Sequence, residues 1–336
     1  MDKIVVTGAN GHVGITIVKQ LVEAGYQVRA TVRNKNDEFK TKRLSALGVE
    51  IVEADLLDSA SLAKAFAGCD GLFQVAAGYK LASKDPERDI IRPAIEGAEN
   101  TLRAAKQAGI KKVIFTSSVA AIGTTTGDKP LDETAWNDGA KETYTISKNR
   151  AERLAWKLAD ELDLNLVTIL PCAIIGPNFM THTPSTFLFQ KIADGKLPII
   201  PPIELSFVDV RDVAAAHILA YENADAKGRY IVSQGNYSFA DIIAKIGKFA
   251  PKLKLPSVHA PRFIIPILPL FDWLEHKFTG SMRVMTRGIL KEYMGDEKQL
   301  LSAQKAMNEL GWKPRAVEIT LADTLEWIQN NPVKNG

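Results

Sequence analysis

Residues 4–18 read IVVTGANGHVGITIV, with glycines at Gly8, Gly11 and Gly14. The run Ile4–Val6 before them is apolar and β-branched, and apolar positions recur at helical spacing after them. A strand that turns into a helix can do with one glycine. Three at regular spacing imply that something comes very close to this backbone. Such a turn aims backbone N–H groups and the positive end of a helix at one point, which suits a pyrophosphate. Asn10, His12 and Val13 complete the turn. The spacing is G-x-x-G-x-x-G, not the common G-x-G-x-x-G, and a tight turn without a ligand is the alternative reading.

Outward from this stretch, short apolar runs alternate with amphipathic ones. Ile4–Val6, Gln27–Val32, Glu50–Val52, Gly71–Val75, Lys112–Thr116 and Asn165–Leu170 read as strands. Helical patterns lie between them at about 12–24, 38–47, 59–67, 88–108 and 143–162. This alternation predicts an α/β fold with a doubly wound parallel sheet of the Rossmann type, and ligands at the carboxyl ends of its strands. After Leu170 the rhythm breaks into proline-rich stretches. A helix at Val210–Glu222 and a strand at Arg229–Val232 return to the first pattern, and from Ser238 the chain reads as mostly helical. Residues 1–176 with about 207–232 are therefore expected to form a nucleotide-binding domain. Residues of about 177–206 with 233–336 form a smaller, mostly helical substrate lobe.

The bulk composition removes several classes. A chain of 336 residues with 46% hydrophobic residues can bury a full core without staples. The net charge of +3 and the lack of any long Lys/Arg block argue against nucleic acid as a partner. Two cysteines, Cys69 and Cys172, make no disulfide framework and have no metal-ligand spacing. They read as small buried hydrophobes, and no metal site is expected; a reducing, cytoplasmic setting fits. The stretch FIIPILPLFDWLEHKF at 263–278 is interrupted by Pro266, Pro269 and Asp272 and is too short to span a bilayer. It reads as a helix packed on the core of the smaller lobe, with an interfacial or partner-facing helix as the alternative.

The second strand ends in Arg33, where an acidic residue would favour NAD by accepting from ribose hydroxyls. An arginine there can grip a 2′-phosphate and stack on adenine, so NADPH is the expected cofactor. Lys40, Lys42 and Arg43 follow closely. Asp55 closes the third strand, followed by Leu56. Asp55 either accepts from the adenine amine or serves as a turn acid.

The stretch KETYTISKNRAERLAWKLADE at 141–161 is helical in pattern, and Tyr144 and Lys148 share one face. A free phenol keeps its proton to a pKa of about 10, and a neighbouring ammonium is expected to lower that value. The phenol can then protonate a forming alkoxide. Ser117 and Ser118 stand just past an apolar strand at the ligand edge of the sheet. A hydroxyl there can hold a substrate carbonyl, or cap a turn.

Together TGANGHVG, ADLLD, VAAG, FTSS and YTISK make the chain resemble the extended short-chain dehydrogenase/reductase family. The closest resemblance is to the branch of dihydroflavonol 4-reductase, cinnamoyl-CoA reductase and related aldehyde or ketone reductases. VRATVR, GCDGLFQVAA, FTSSVAAIG, PCAIIGP and FVDVRDVAAAHILAYEN carry it, from residue 1 to about 240. The resemblance implies that Tyr144 donates a proton and that Lys148 binds ribose and tunes the tyrosine. It implies that Ser118 polarises the carbonyl and that Arg33 and Lys40 meet the 2′-phosphate. It further implies that Val75, Ala76, Ala77, Pro171 and Ser185 belong to the cofactor site. The expected activity is NADPH-dependent reduction of a small-molecule carbonyl by a monomer or homodimer.

Residues 123–143 make a shorter loop than in the plant members, so their flavonoid or CoA-ester specificity does not carry over. Residues 256–295 match nothing in the family. Tyr79, Met180, His182 and Phe187 are candidate substrate contacts, with His182 expected at the surface or rim. A 3β-hydroxysteroid dehydrogenase, a sugar-nucleotide epimerase or dehydratase, and a nucleotide-sensing regulator stand as alternatives. No acidic residue follows the serines in SSVAAIG, as a dehydratase usually requires.

Overall fold

The computed structural model describes residues 2–77, 83–283, 298–331 and 333. Its strands are β1 (Lys3–Val6), β2 (Gln27–Val32), β3 (Glu50–Glu53), β4 (Gly71–Gln74), β5 (Lys112–Thr116), β6 (Leu166–Pro171), β7 (Ala173–Ile175), β8 (Glu204–Asp209), β9 (Gly228–Val232) and β10 (Asn236–Ser238). A parallel sheet runs in the order β3-β2-β1-β4-β5-β6-β9. The order reverses between β1 and β4, so a crevice opens at their carboxyl ends.

The helices are α1 (His12–Glu23), α2 (Glu38–Ala46), α3 (Ser59–Phe66), α4 (Arg92–Gln107), α5 (Thr143–Glu161), α6 (Pro184–Ala193), α7 (Val210–Glu222), α8 (Phe239–Phe249), α9 (Leu268–Thr279), α10 (Gln304–Leu310) and α11 (Val317–Asn330). The pleat sends alternate side chains to opposite faces of the sheet. Ile4, Val6, Phe73 and Ile114 join one core with Ile17 and Leu21 of α1 and Val213 of α7. Val5, Leu72, Val113 and Phe115 join a second with Phe66, Leu102 and Ala155, from α3, α4 and α5. Both faces are covered, which is why these strands read as continuous apolar runs. A third core gathers Phe189, Phe207, Phe239, Ile242 and Leu321. Ala306, Leu310 and Trp312 pack instead on the first core.

Several elements differ from the sequence reading. The proline-rich region holds β7 and the start of β8, which form a small separate sheet with β10 from beyond β9, and α6, whose first residue is Pro184. Proline is favourable at a helix start, so the residue that suggested a loop opens a helix. The helix expected at 88–108 begins with a wider π turn at Glu87–Ile91 before α4. Helix α9 does not bury an apolar face: Pro269 and Asp272 are its buried residues, while Leu270, Phe271, Trp273 and Phe278 are exposed. No helix among the described residues is long and apolar enough to cross a membrane.

His217 on α7 links that helix to the end of β5. Its Nδ1–H donates to the Val213 carbonyl at 2.8 Å, which leaves Nε2 to accept from the Thr116 hydroxyl at 2.7 Å. Burial pushes its pKa from 6.5 down to about 4. The unfolded chain therefore takes up this proton first as pH falls. The stability is complete above 6.5 and is lost toward about 4, amounting to about 3 kcal/mol from this ring. Urea unfolding between those pH values is expected to show this loss, and His217→Gln should flatten it. An unchanged slope in the variant would remove His217 as the source.

Candidate active site

The glycine turn follows β1. Gly8 has φ +60°, a left-handed conformation, and a Cβ on it would lie 2.8 Å from Ala76 Cα. A Cβ on Gly14 would lie 2.2 Å from the Gly8 carbonyl oxygen. Helix α1 therefore starts pressed against the turn. Its N-cap is Gly11, with no side chain capping the first N–H groups. An uncapped helix start beside a cradle that any Cβ would fill fits a diphosphate. Thr7 braces the turn across the crevice: its Oγ1 accepts from the backbone N–H of Val75 and of Ala76, each at 3.0 Å. Val75 and Ala76 are half-buried and Ala77 is exposed, on the opposite lip.

His12 opens α1, but its ring faces elsewhere. Nε2–H donates to the Pro177 carbonyl at 2.8 Å, and the ring stands edge-on to Phe179 with centroids 5.3 Å apart. Burial lowers its pKa to about 4, so the ring is neutral near pH 7. Only its backbone, like that of Val13, is available to an anion.

The basic cluster after β2 divides. Arg33 is exposed and makes no ion pair with another described residue. Lys40 is exposed and lies 3.3 Å from the Asp37 carboxylate, which also caps α2. Arg43 turns away. Its guanidinium donates to the Asn178 carbonyl and side chain, and stacks on Trp327 at 5.4 Å. Asp55 is exposed, and its Oδ1 accepts from Leu57 N–H at 2.9 Å, the turn role that was one of its two readings. Leu56 packs against Gly97 of α4.

Beyond β5 the two serines part company. Ser117 is buried, and its hydroxyl donates to Glu152 of α5 at 2.7 Å. Its side chain therefore lies behind the crevice rather than facing a cofactor. Ser118 is half-buried; its Oγ accepts from Ala120 N–H at 3.2 Å, and its hydroxyl stands beside the Tyr144 phenol. It fills the cap role, and its hydroxyl stands on the Tyr144 side of the crevice.

Tyr144 lies in the first turn of α5, whose N-cap Glu142 accepts from Thr145 N–H at 3.0 Å. Lys148 follows one turn on, its Nζ 5.8 Å from the centre of the Tyr144 ring. Lys148 makes no hydrogen bond or ion pair with another described residue, which leaves its ammonium for a ligand. Burial pushes the phenol up to about 12, opposed by the Ser118 hydrogen bond. This reverses the expected lowering: at that separation the ammonium does not outweigh desolvation. The phenol accordingly keeps its proton at neutral pH and can act as an acid. Burial pushes Lys148 down to about 8, opposed by the Glu152 carboxylate. A cavity beside Lys148 is lined by Gln74, Ala76, Ala77, Thr116 and Ser147, so the lysine, β4 and β5 share one recess.

Pro171 is the buried last residue of β6, and Ser185 is half-buried near the start of α6. Met180 is half-buried and Phe187 buried. His182 is no rim residue: it is 5% exposed, packed between Phe179 and Phe187. Aromatic neighbours on both sides, which sequence spacing hides, draw it inward. Tyr79 lies outside the described residues. Thr7 and Glu152 were not anticipated. Glu152 stands four residues after Lys148 and eight after Tyr144, and that repeat along one helix face was the available signal.

This combination of a doubly wound sheet, a glycine turn and a serine–tyrosine–lysine face defines a nucleotide-dependent oxidoreductase of the short-chain type. Residues 4–233 match the family described as the NAD dependent epimerase/dehydratase family, and the chain belongs to it. Cinnamoyl-CoA reductase 1 of Petunia hybrida is 36% identical over 265 residues, covering 75% of this chain and 78% of that one. A putative dihydroflavonol 4-reductase of Synechocystis is 34% identical over 342 residues, covering 98% and 95%. Among solved structures, Gre2 of Candida albicans in complex with NADPH superposes with a TM-score of 0.79. It is 26% identical and covers 98% of this chain and 99% of that one.

Proposed function

We propose that this chain is an NADPH-dependent reductase of aldehydes or ketones, with Tyr144 as the proton donor. The observation that carries the proposal is the grouping of Ser118 beside the Tyr144 phenol with Lys148 one turn further along the helix, at a recess lined from β4 and the end of β5. Bound NADPH supplies the hydride. Gly8, Gly11 and Gly14, with the N–H groups of His12 and Val13 and the adjacent Asn10, would hold its diphosphate. Arg33 and Lys40 would meet the 2′-phosphate, and Asp55 and Leu56 the adenine. Val75, Ala76, Ala77, Pro171 and Ser185 would flank the remainder, and Lys148 would donate to ribose. Ser118 and Tyr144 converge on the substrate oxygen. The phenol, protonated at neutral pH, releases its proton as negative charge builds there. Reductase relatives at 34–36% identity and an NADPH-bound structural neighbour support this reading. The division into a nucleotide domain (1–176 with about 207–232) and a substrate lobe (about 177–206 with 233–336) is proposed with it, supported by the separate third core.

A panel of aldehydes, ketones and hydroxysteroids, followed by NADPH absorbance, tests the proposal and selects among its substrates. Oxidation of NADPH by a member of the panel is the expected result. The absence of turnover, together with NAD retained through purification, would favour the epimerase alternative. Arg33, exposed and without an ion pair among the described residues, predicts cofactor choice. One charge-assisted hydrogen-bonding contact contributes about 1.5–3 kcal/mol, so Arg33→Ala is expected to weaken NADPH about 10- to 100-fold. NADH affinity should hardly change. Equal losses for both cofactors would place Arg33 away from the 2′-phosphate.

A further inference from the structure

We infer that Ser117 and Glu152 are positioning residues that aim Ser118 at Tyr144 and fix the helix carrying Tyr144 and Lys148; the inference rests on the reading of those three as the reacting face. Glu152 is fully buried on α5, one turn beyond Lys148. Its carboxylate accepts from Ser117 Oγ at 2.7 Å, Thr168 Oγ1 at 3.0 Å, Arg229 Nε at 2.9 Å and Arg229 Nη2 at 3.2 Å. Ser117 directly follows β5, Thr168 belongs to β6 and Arg229 to β9. One carboxylate therefore ties the helix to three strands of the sheet.

Arg229 is itself locked. Its Nη1 donates to the carbonyls of Glu133 and Ala135, at 2.9 and 2.6 Å, and the guanidinium lies 3.7 Å over the Trp136 ring. The buried charge of Glu152 is thus compensated by a partner that cannot drift. Of the three strand partners, only Ser117 adjoins a residue of the reacting face. Consecutive Cα atoms are about 3.8 Å apart, so tying the Ser117 side chain to α5 holds the backbone that carries Ser118 at a fixed distance from the helix that carries Tyr144. Glu152 also acts on Lys148 electrostatically, opposing the loss of its charge on burial. No other buried carboxylate among the described residues of α5 reaches the sheet.

Ser117→Ala cuts the tie to β5 and leaves Glu152 with Thr168 and Arg229. It is assayed with NADPH and the fastest-reduced carbonyl of the panel, with isovaleraldehyde as its first member. kcat is expected to fall about tenfold, since small misplacements of a catalytic group slow chemistry disproportionately. KM for NADPH should stay within about twofold, because the diphosphate cradle is untouched. Ser117→Thr keeps a hydroxyl and is expected to recover most of the rate. A lower melting temperature with kcat unchanged in Ser117→Ala would mean a structural role only and overturn the inference. So would a Ser117→Thr variant that melts like the wild type yet is as slow as Ser117→Ala. Tyr144→Phe in the same assay separates the two levels. If it abolishes turnover while Ser117→Ala does not slow it, this inference fails alone. If Tyr144→Phe turns over like the wild type, the reading of the reacting face fails beneath it.

Discussion

Tyr144→Phe is expected to lower kcat by about a thousandfold while leaving NADPH affinity within about twofold, because a positioned general acid contributes roughly 10²–10⁴-fold. The substitution removes one oxygen. Ser118 then keeps its bond from Ala120 N–H but loses its partner across the crevice. Because Tyr144 holds its proton until about pH 12, its acid form is intact throughout the neutral range. Wild-type reduction should therefore show no fall with pH from deprotonation of this phenol before strongly alkaline conditions. Stopped-flow NADPH oxidation with a fluorescence titration of the cofactor separates rate from binding. A variant with normal kcat would remove the phenol from the chemistry. One that lost NADPH binding in proportion would make Tyr144 a cofactor contact alone.

Gly14→Ala is expected to have the largest effect on the fold of the cofactor site. Alanine usually stabilises a helix by about 1 kcal/mol over glycine. Here the added Cβ would stand 2.2 Å from the Gly8 carbonyl oxygen and 2.9 Å from Ala9 Cα, so backbone must move. Overpacking against backbone costs about 1–3 kcal/mol or more, which outweighs the gain in propensity. The moved atoms are the turn that would hold the diphosphate. NADPH affinity should fall at least about a hundredfold, and the protein should melt several degrees lower, at roughly 2–4 °C per kcal/mol. Gly139→Ala, with nothing within 4 Å of its added Cβ, is the control and should match the wild type. A Gly14→Ala protein that binds NADPH normally would mean that the turn yields without consequence.

Much of the nucleotide half was legible because its strands are buried on both faces and stand out as apolar runs between amphipathic helices. The three-residue strands β7 and β10 carry too little pattern to be recognised, and β8 sits beside prolines that suggest loops. Tyr144 and Lys148 could be paired from their spacing, since helix geometry fixes which residues share a face. The serines were harder. Both follow an apolar strand, yet Val113 and Phe115 face the α5 side while Ile114 faces α7. Extending that alternation sends Thr116 to His217 and Ser117 to Glu152. The pleat held the answer, but only once the flanking helices were assigned. The basic cluster could not be divided from sequence for another reason. Arg33 and Arg43 are alike in sequence, and only tertiary contact reveals that Arg43 serves Asn178.

The reductase account requires one arrangement above all: the Tyr144 phenol and Lys148 ammonium facing a nicotinamide whose diphosphate rests on the Gly8–Gly14 turn. A crystal structure of the NADPH complex measures it directly. The account predicts Lys148 Nζ at about 3 Å from a ribose hydroxyl next to the nicotinamide, with Tyr144 Oη and Ser118 Oγ open to a carbonyl oxygen beside the ring. A complex with the diphosphate seated elsewhere, or with the nicotinamide out of reach of Tyr144, would contradict it.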